Sequence, residues 1–188
     1  MLSKRSVRPA PRFTRSPDPT DPALSDQQLF DLAVSALAAR SRSETELRRF
    51  LVRKVGPHPH IDQVLVRLRE LRYLSDEQLC QNVVETRQKH ALWGARRVSF
   101  ELLRRGVAEP LVEQTVAAVY SGVDELAQAR AFAEKKRLFR LLAADPGQSP
   151  PKQVARFVRS LYRAGFSIAV CYKLANRPEP AVPEDDLA

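Results

Sequence analysis

Glycine and cysteine are scarce in this chain, and long apolar runs are missing. Six glycines in 188 residues leave little for the turns of a many-stranded sheet, and long apolar-periodic segments lie between them, which argues for helix. The two cysteines, Cys80 and Cys171, fall inside expected helices and show neither a disulfide framework nor a metal spacing. They read as small buried apolar residues. No apolar stretch approaches the ~20 residues that span a bilayer. The N-terminus lacks the apolar core of a signal peptide, although its Arg/Ser content weakly resembles a transit sequence. A cytoplasmic protein with no membrane partner is expected.

The motifs of common catalysts are absent too. The chain contains no G-x-x-x-x-G-K-[ST] phosphate loop and no H-E-x-x-H zinc helix. His58 and His60, in the run Pro57-His58-Pro59-His60, have no ligand spacing to His90 or Cys80. Glu44, Glu46, Asp76 and Glu77 stand at expected helix starts, where capping and the helix dipole account for them. The expectation is a protein that is not an enzyme and needs no metal or cofactor.

What the chain does carry is positive charge. Its net charge is +9, and the tails contribute nothing to it. Residues 1–25 hold five Lys/Arg and two Asp (+3), while residues 177–188 hold one Arg and four acids (−3). The excess therefore sits on the folded body, which implies an anionic partner: nucleic acid or an acidic protein surface. Residues 1–25 are Pro-rich, basic and aperiodic, and read as a disordered tail. Residues 177–188 read as an acidic, Pro-rich one.

Between the tails one pattern occurs three times. In Gly94–Tyr120, Val98, Leu102 and Leu103 line a helix that stops at Gly106. Pro110 then opens a second helix, along which Leu111, Thr115, Val116, Val119 and Tyr120 recur. Leu47, Leu51, Gly56 and Ile61-x-x-Val64-Leu65-x-x-Leu68 echo it upstream. Phe157, Leu161, Tyr162, Gly165 and Ile168-x-x-Cys171-Tyr172 echo it downstream. Recurrence every 50–60 residues marks a helical repeat.

Each repeat takes a further helix in front. The first begins at Ser25 or Asp26 and carries Leu29, Phe30, Ala33, Val34 and Leu37. The second is capped by Ser75-x-x-Gln78, in the manner of the Ser43-x-x-Glu46 capping box. The third runs over about 123–144 and ends at Asp145-Pro146-Gly147. The reading is all-α: three tandem three-helix repeats, 26–74, 75–122 and 123–176, forming an elongated, curved helical body.

Superposed on Leu47, Val98 and Phe157 as equivalent inward positions, the repeats align their arginines. Two residues on lie Arg49, Phe100 and Arg159; six residues on lie Arg53, Arg104 and Arg163. At about 100° per residue both positions point away from the core. With Arg97 they form the candidate contact surface for the anionic partner.

The stretch Ile61-x-x-Val64-Leu65-x-x-Leu68-x-x-Leu71-Arg72-Tyr73-Leu74-Ser75-Asp76, with Arg87 and Trp93-Gly94-x-x-x-Val98-x-x-Glu101-Leu102-x-x-x-Gly106-Val107, resembles the RecX regulatory-protein family over residues 26–176. Where Arg72 stands that family usually has Gly; where Ser75 stands, Asp; where Leu79-Cys80 stand, Phe-Ala. A monomer is expected from the repeats, and the resemblance implies a regulator, chiefly an inhibitor, of the RecA recombinase. Such a protein binds RecA filaments on single-stranded DNA and modulates recombination, DNA repair and the SOS response. The alternative from the residues alone is a direct DNA-binding protein of helix-turn-helix type.

Overall fold

Serine hydroxyls set the helix starts. Ser25 and Ser43 each accept from the backbone N–H three residues on, while Gln28 and Glu46 reach back to the cap amides. Both are complete capping boxes. Ser75 accepts from Gln78 N, but its hydroxyl donates to Glu77 rather than meeting a returning Gln78, so only half of the expected box forms. Asp124 caps a fourth helix through Ala127 N.

In this computed structural model, residues 25–142 and 149–175 are described. The expected tails, 1–25 up to Ser25 and 177–188, and the stop at Asp145-Pro146-Gly147 lie outside the described residues. Among the described residues there are nine α-helices and no strand. They are α1 (Asp26–Ala39), α2 (Glu44–Val55), α3 (Ile61–Glu70), α4 (Asp76–Thr86), α5 (Ala95–Arg104), α6 (Glu109–Tyr120), α7 (Glu125–Lys135), α8 (Pro151–Arg163) and α9 (Ile168–Leu174). A π-helical turn, Arg87–Ala91, extends α4. No helix among the described residues is long and apolar enough to cross a membrane.

Three small cores follow the three groups of helices. Leu29, Leu47, Leu51, Leu65 and Leu68 fill the first, Cys80, Val84, Val98, Leu102 and Val112 the second, and Phe157, Val158, Leu161, Phe166 and Cys171 the third. The superposed inward positions Leu47, Val98 and Phe157 are all fully buried. Helix packing of any extent stays within each group. Each group buries its apolar face internally, as a repeat unit does.

Two details differ from the sequence pattern. Leu103 is 40% exposed rather than part of the core-facing side of α5. The helix expected over 123–144 stops at Lys135: Arg137 turns left-handed (φ 55°), and a short 3-10 turn covers Leu138–Leu141. That turn sends Leu138, Phe139, Leu141 and Leu142 against the third core, where a straight helix would carry part of them past it.

What joins the groups is the ends of their middle helices. The last carbonyls of a helix lack intrahelical partners. Here those of α5 and α8 are taken up by the start of the preceding group's middle helix. Ser43 Oγ donates to Arg105 O, and Thr45 Oγ1 to Gly106 O at 2.9 Å. Gly94 N donates to Ala164 O at 2.8 Å. The C-terminus of α5 is thus seated on the first turn of α2, and that of α8 on the first turn of α5. Gly106 and Gly165 (φ 82° and 96°) make the left-handed exits these seats require, a region that costs other residues energy.

Gly94 is there for space. A Cβ on it would lie 2.7 Å from Phe166 N and closer still to the Gly165 carbonyl. Both neighbours are backbone and give little, so Gly94→Ala is expected to cost about 1–3 kcal/mol, the usual range for overpacking. At Gly122 nothing lies within 4 Å of an added Cβ, and Gly122→Ala should stay within about 0.5 kcal/mol of wild type. Urea denaturation of both variants checks this; equal stability of the two contradicts the tight seat at Gly94.

Candidate partner-binding surface

The middle helices α2, α5 and α8 owe their orientation to one apolar edge each, and that edge fixes what faces out. With Leu47, Val98 and Phe157 buried, Arg49, Arg53, Arg104, Arg159 and Arg163 are all exposed, and Phe100 is 67% exposed. Among the described residues none of these five guanidinium groups is held by an acid. Sequence superposition of the repeats brought these residues to the same phase, and the structure brings the helices that carry them end against end.

Arg97 is placed differently. It is half-buried, its guanidinium lies 3.6 Å from the centre of the Trp93 ring, and it donates to Arg163 O at 3.4 Å. Burial lowers its basicity; the nearby Glu101 opposes that and Arg87 adds to it. Arg97 braces the seat between α8 and α5. Trp93 belongs to the same junction: it packs against both the second and third cores, and its carbonyl accepts from Tyr120 Oη at 2.6 Å and Gln128 Nε2 at 3.1 Å.

Superposition of arginines alone overlooked the apolar members of this face. Val52 and Leu103, 40% exposed each, stand five residues after the inward positions, about 140° round the helix. They flank the arginine rows, and the same phase argument extended by three residues would have found them.

The two seats differ in charge. At the α5–α2 seat, Arg105 donates to Glu46 Oε2 (3.0 Å) and to Ser41 O (2.9 Å), and Arg69 pairs with Glu44 (3.1 Å). Asp76, at the start of α4, accepts from Glu44 N at 2.9 Å, so it caps the helix of a neighbouring group as well as favouring its own. Sequence reading assigned it only the local part. Burial raises the Asp76 pKa against that hydrogen bond. Burial also acts to raise that of Glu46, but the Arg105 guanidinium and the Ser43 amide outweigh it and leave the carboxyl below its usual range. At the α8–α5 seat the first turn of α5 carries no acid.

Reactive groups are few here. Burial pushes the Cys171 thiol up to about 12 and raises that of Cys80, which removes the thiolate needed for chemistry. Among the described residues no group of three His, Cys, Asp or Glu is placed to hold a metal ion. His60 caps no helix through its side chain and instead meets Asp26 at 3.2 Å.

Residues 75–116, from the Ser75 cap through most of α6, match the model of the RecX second three-helix domain. Over 140 residues the chain is 35% identical to the regulatory protein RecX of Geobacillus kaustophilus. It is 26% identical over 174 residues to that of Mycolicibacterium vanbaalenii. The chain belongs to the RecX family. The first alignment covers 74% of this chain but only 50% of the Geobacillus protein, so the chain spans about half the length of that relative. The second covers 87% of this chain and 95% of the mycobacterial-type one. The crystal structure of RecX from Lactobacillus salivarius superposes with a TM-score of 0.63 at 17% identity, over 80% of this chain and 94% of that one. At that identity the likeness is one of fold. Within the family pattern the Gly position falls on Arg72, whose φ of 59° is the left-handed conformation that glycine accommodates and an arginine bears at a cost.

The Glu46–Arg105 contact makes a pH prediction. A carboxyl depressed in the folded state adds stability above its unfolded pKa and loses that contribution as pH falls through the folded one. Glu46→Gln should lower stability by about 2 kcal/mol at pH 7, the worth of a charge-assisted hydrogen bond. The gap to wild type should close as pH falls through the folded-state pKa of Glu46, below the usual carboxylate range. Denaturation midpoints of both proteins as pH is lowered measure it, and a gap independent of pH would contradict the assignment.

Proposed function

We propose that this RecX-family chain is a cytoplasmic regulator, chiefly an inhibitor, of the RecA recombinase. It acts as a monomer, by binding the RecA filament on single-stranded DNA, and so modulates recombination, repair and the SOS response. It works by contact and not by catalysis, with no cofactor. Family membership supports the regulatory role. The observation that supports the mode of action is the outward surface of α2, α5 and α8, where unpaired arginines recur at equivalent positions of three repeats seated end on end.

A filament offers the same sites again and again, and a repeat protein with a recurrent contact matches such a target. Several weak contacts joined by a fixed scaffold sum to strong binding. The contacts comprise Arg49, Arg53, Arg104, Arg159 and Arg163 as charge partners, and the exposed Phe100, Val52 and Leu103 as apolar anchors. Arg97 contributes by holding the α8–α5 seat. Exposed charges of this kind carry little folding energy, about 0.5 kcal/mol or less each, so the surface is testable by charge reversal in folded protein.

Inhibition of the DNA-dependent ATPase of RecA, measured for wild type and for Arg53→Glu combined with Arg104→Glu, tests the proposal. The wild type is expected to inhibit, and the folded double variant to need at least tenfold more protein for the same effect. Equal potency of the two removes the arginine rows from the mechanism. A wild type that neither inhibits nor binds the filament at moderate salt overturns the reading.

A further inference from the structure

The charge of the middle helices is unevenly compensated, and the imbalance is concentrated in the third repeat. Residues 149–175 contain Lys152, Arg156, Arg159, Arg163 and Lys173 and no acidic residue at all. Four of these lie on α8 at intervals of four, three and four, which places Lys152, Arg156, Arg159 and Arg163 in one stripe along the helix. All four are exposed, opposite the buried Val154, Phe157, Val158 and Leu161. At 1.5 Å per residue the stripe is about 16 Å long. Nearby acids are committed elsewhere: Glu125 accepts from Ser167 N and Oγ (2.6 and 2.9 Å), and Glu101 is held bidentately by Arg87 (2.9 and 2.8 Å).

The stripe continues across the seat on which α8 ends. The first turn of α5 carries Arg96 and Arg97 and no acid. Cations at that end of a helix oppose its dipole. The equivalent turn of α2 carries Glu44 and Glu46, the arrangement the dipole favours. Arg96 spans the seat, with its guanidinium 4.0 Å from the centre of the Tyr162 ring of α8. Repeat 2 thus holds, at a cost to its own stability, the charge that repeat 1 avoids at the same place.

We propose that the α8 stripe and Arg96 form a site for the phosphate backbone of a single-stranded nucleic acid, engaged by this chain without any other protein. The function proposed above supplies the occasion for such a site, a strand within or beside the filament, and in that sense the inference rests on it. The site shares Arg159 and Arg163 with the rows argued there, whereas Lys152, Arg156 and Arg96 lie outside them. Single strand is favoured over duplex because rings accompany the charge: Tyr162 lies under Arg96 and Phe100 is open on α5. Cationic grooves with exposed rings take unstacked bases.

The test uses the full chain alone, a fluorescein-labelled oligothymidylate and anisotropy at several salt concentrations. With about four phosphates neutralised, the slope of log K against log salt should be near −3. Lys152→Ala with Arg156→Ala should weaken binding about tenfold at low salt and reduce the slope by about half. Arg40→Ala with Lys54→Ala removes the same charge from repeat 1 and should leave both nearly unchanged. No binding by the wild type, equal losses in the two double variants, or tighter binding of an equal-length duplex overturns the proposal. RecA is absent from this assay, so inhibition of RecA without oligonucleotide binding refutes the strand site alone. Binding without inhibition refutes the filament reading alone.

Discussion

Everything in this molecule depends on where the last carbonyls of two helices go. A helix ends with backbone acceptors that need donors. In α5 and α8 the donors come from the first turn of the preceding repeat's middle helix: the hydroxyls of Ser43 and Thr45 in one case, the amide of Gly94 in the other. One geometric requirement is met with side-chain groups at one seat and backbone groups at the next. Space explains the difference. At Gly94 the neighbouring backbone is too close for any side chain, whereas the α5–α2 seat has room for a buried serine and a salt bridge.

The seats also decide what the surface can do. Each repeat has its own small core and no extensive packing on its neighbours. Without the seats the three arginine-bearing helices would be separate patches. With them, the helices that carry the unpaired cations and a few exposed apolar side chains are held end against end. The graded charge, compensated at the α5–α2 seat and bare along α8, gives the surface two ends of different character.

Much of this was legible in the sequence because it is local. Serine caps at 43 and 75, the Gly106 and Gly165 stops, and the in-phase burial of Leu47, Val98 and Phe157 are read from spacing and residue type. The exposure of Arg49, Arg104 and Arg159 follows from the same phase. What escaped reading was tertiary. Nothing in the string of residues tells that Gly94 faces Gly165, or that Asp76 caps α2 from another repeat. The break at Arg137 is a left-handed turn at a residue with no preference for it, imposed by the packing of Leu138–Leu142 on the third core. Leu103 looked apolar and was counted inward, though its position lies toward the outer side.

The central claim, that the seats hold the middle helices in one fixed relation, is open to a direct distance measurement. Spin labels placed at Arg49→Cys and Arg159→Cys report on repeats 1 and 3; the native thiols of Cys80 and Cys171 are buried and stay unlabelled in folded protein. Pulsed electron paramagnetic resonance should give a single narrow distance distribution for the free chain. A broad or multiply peaked distribution would show repeats that move independently, and would contradict the account.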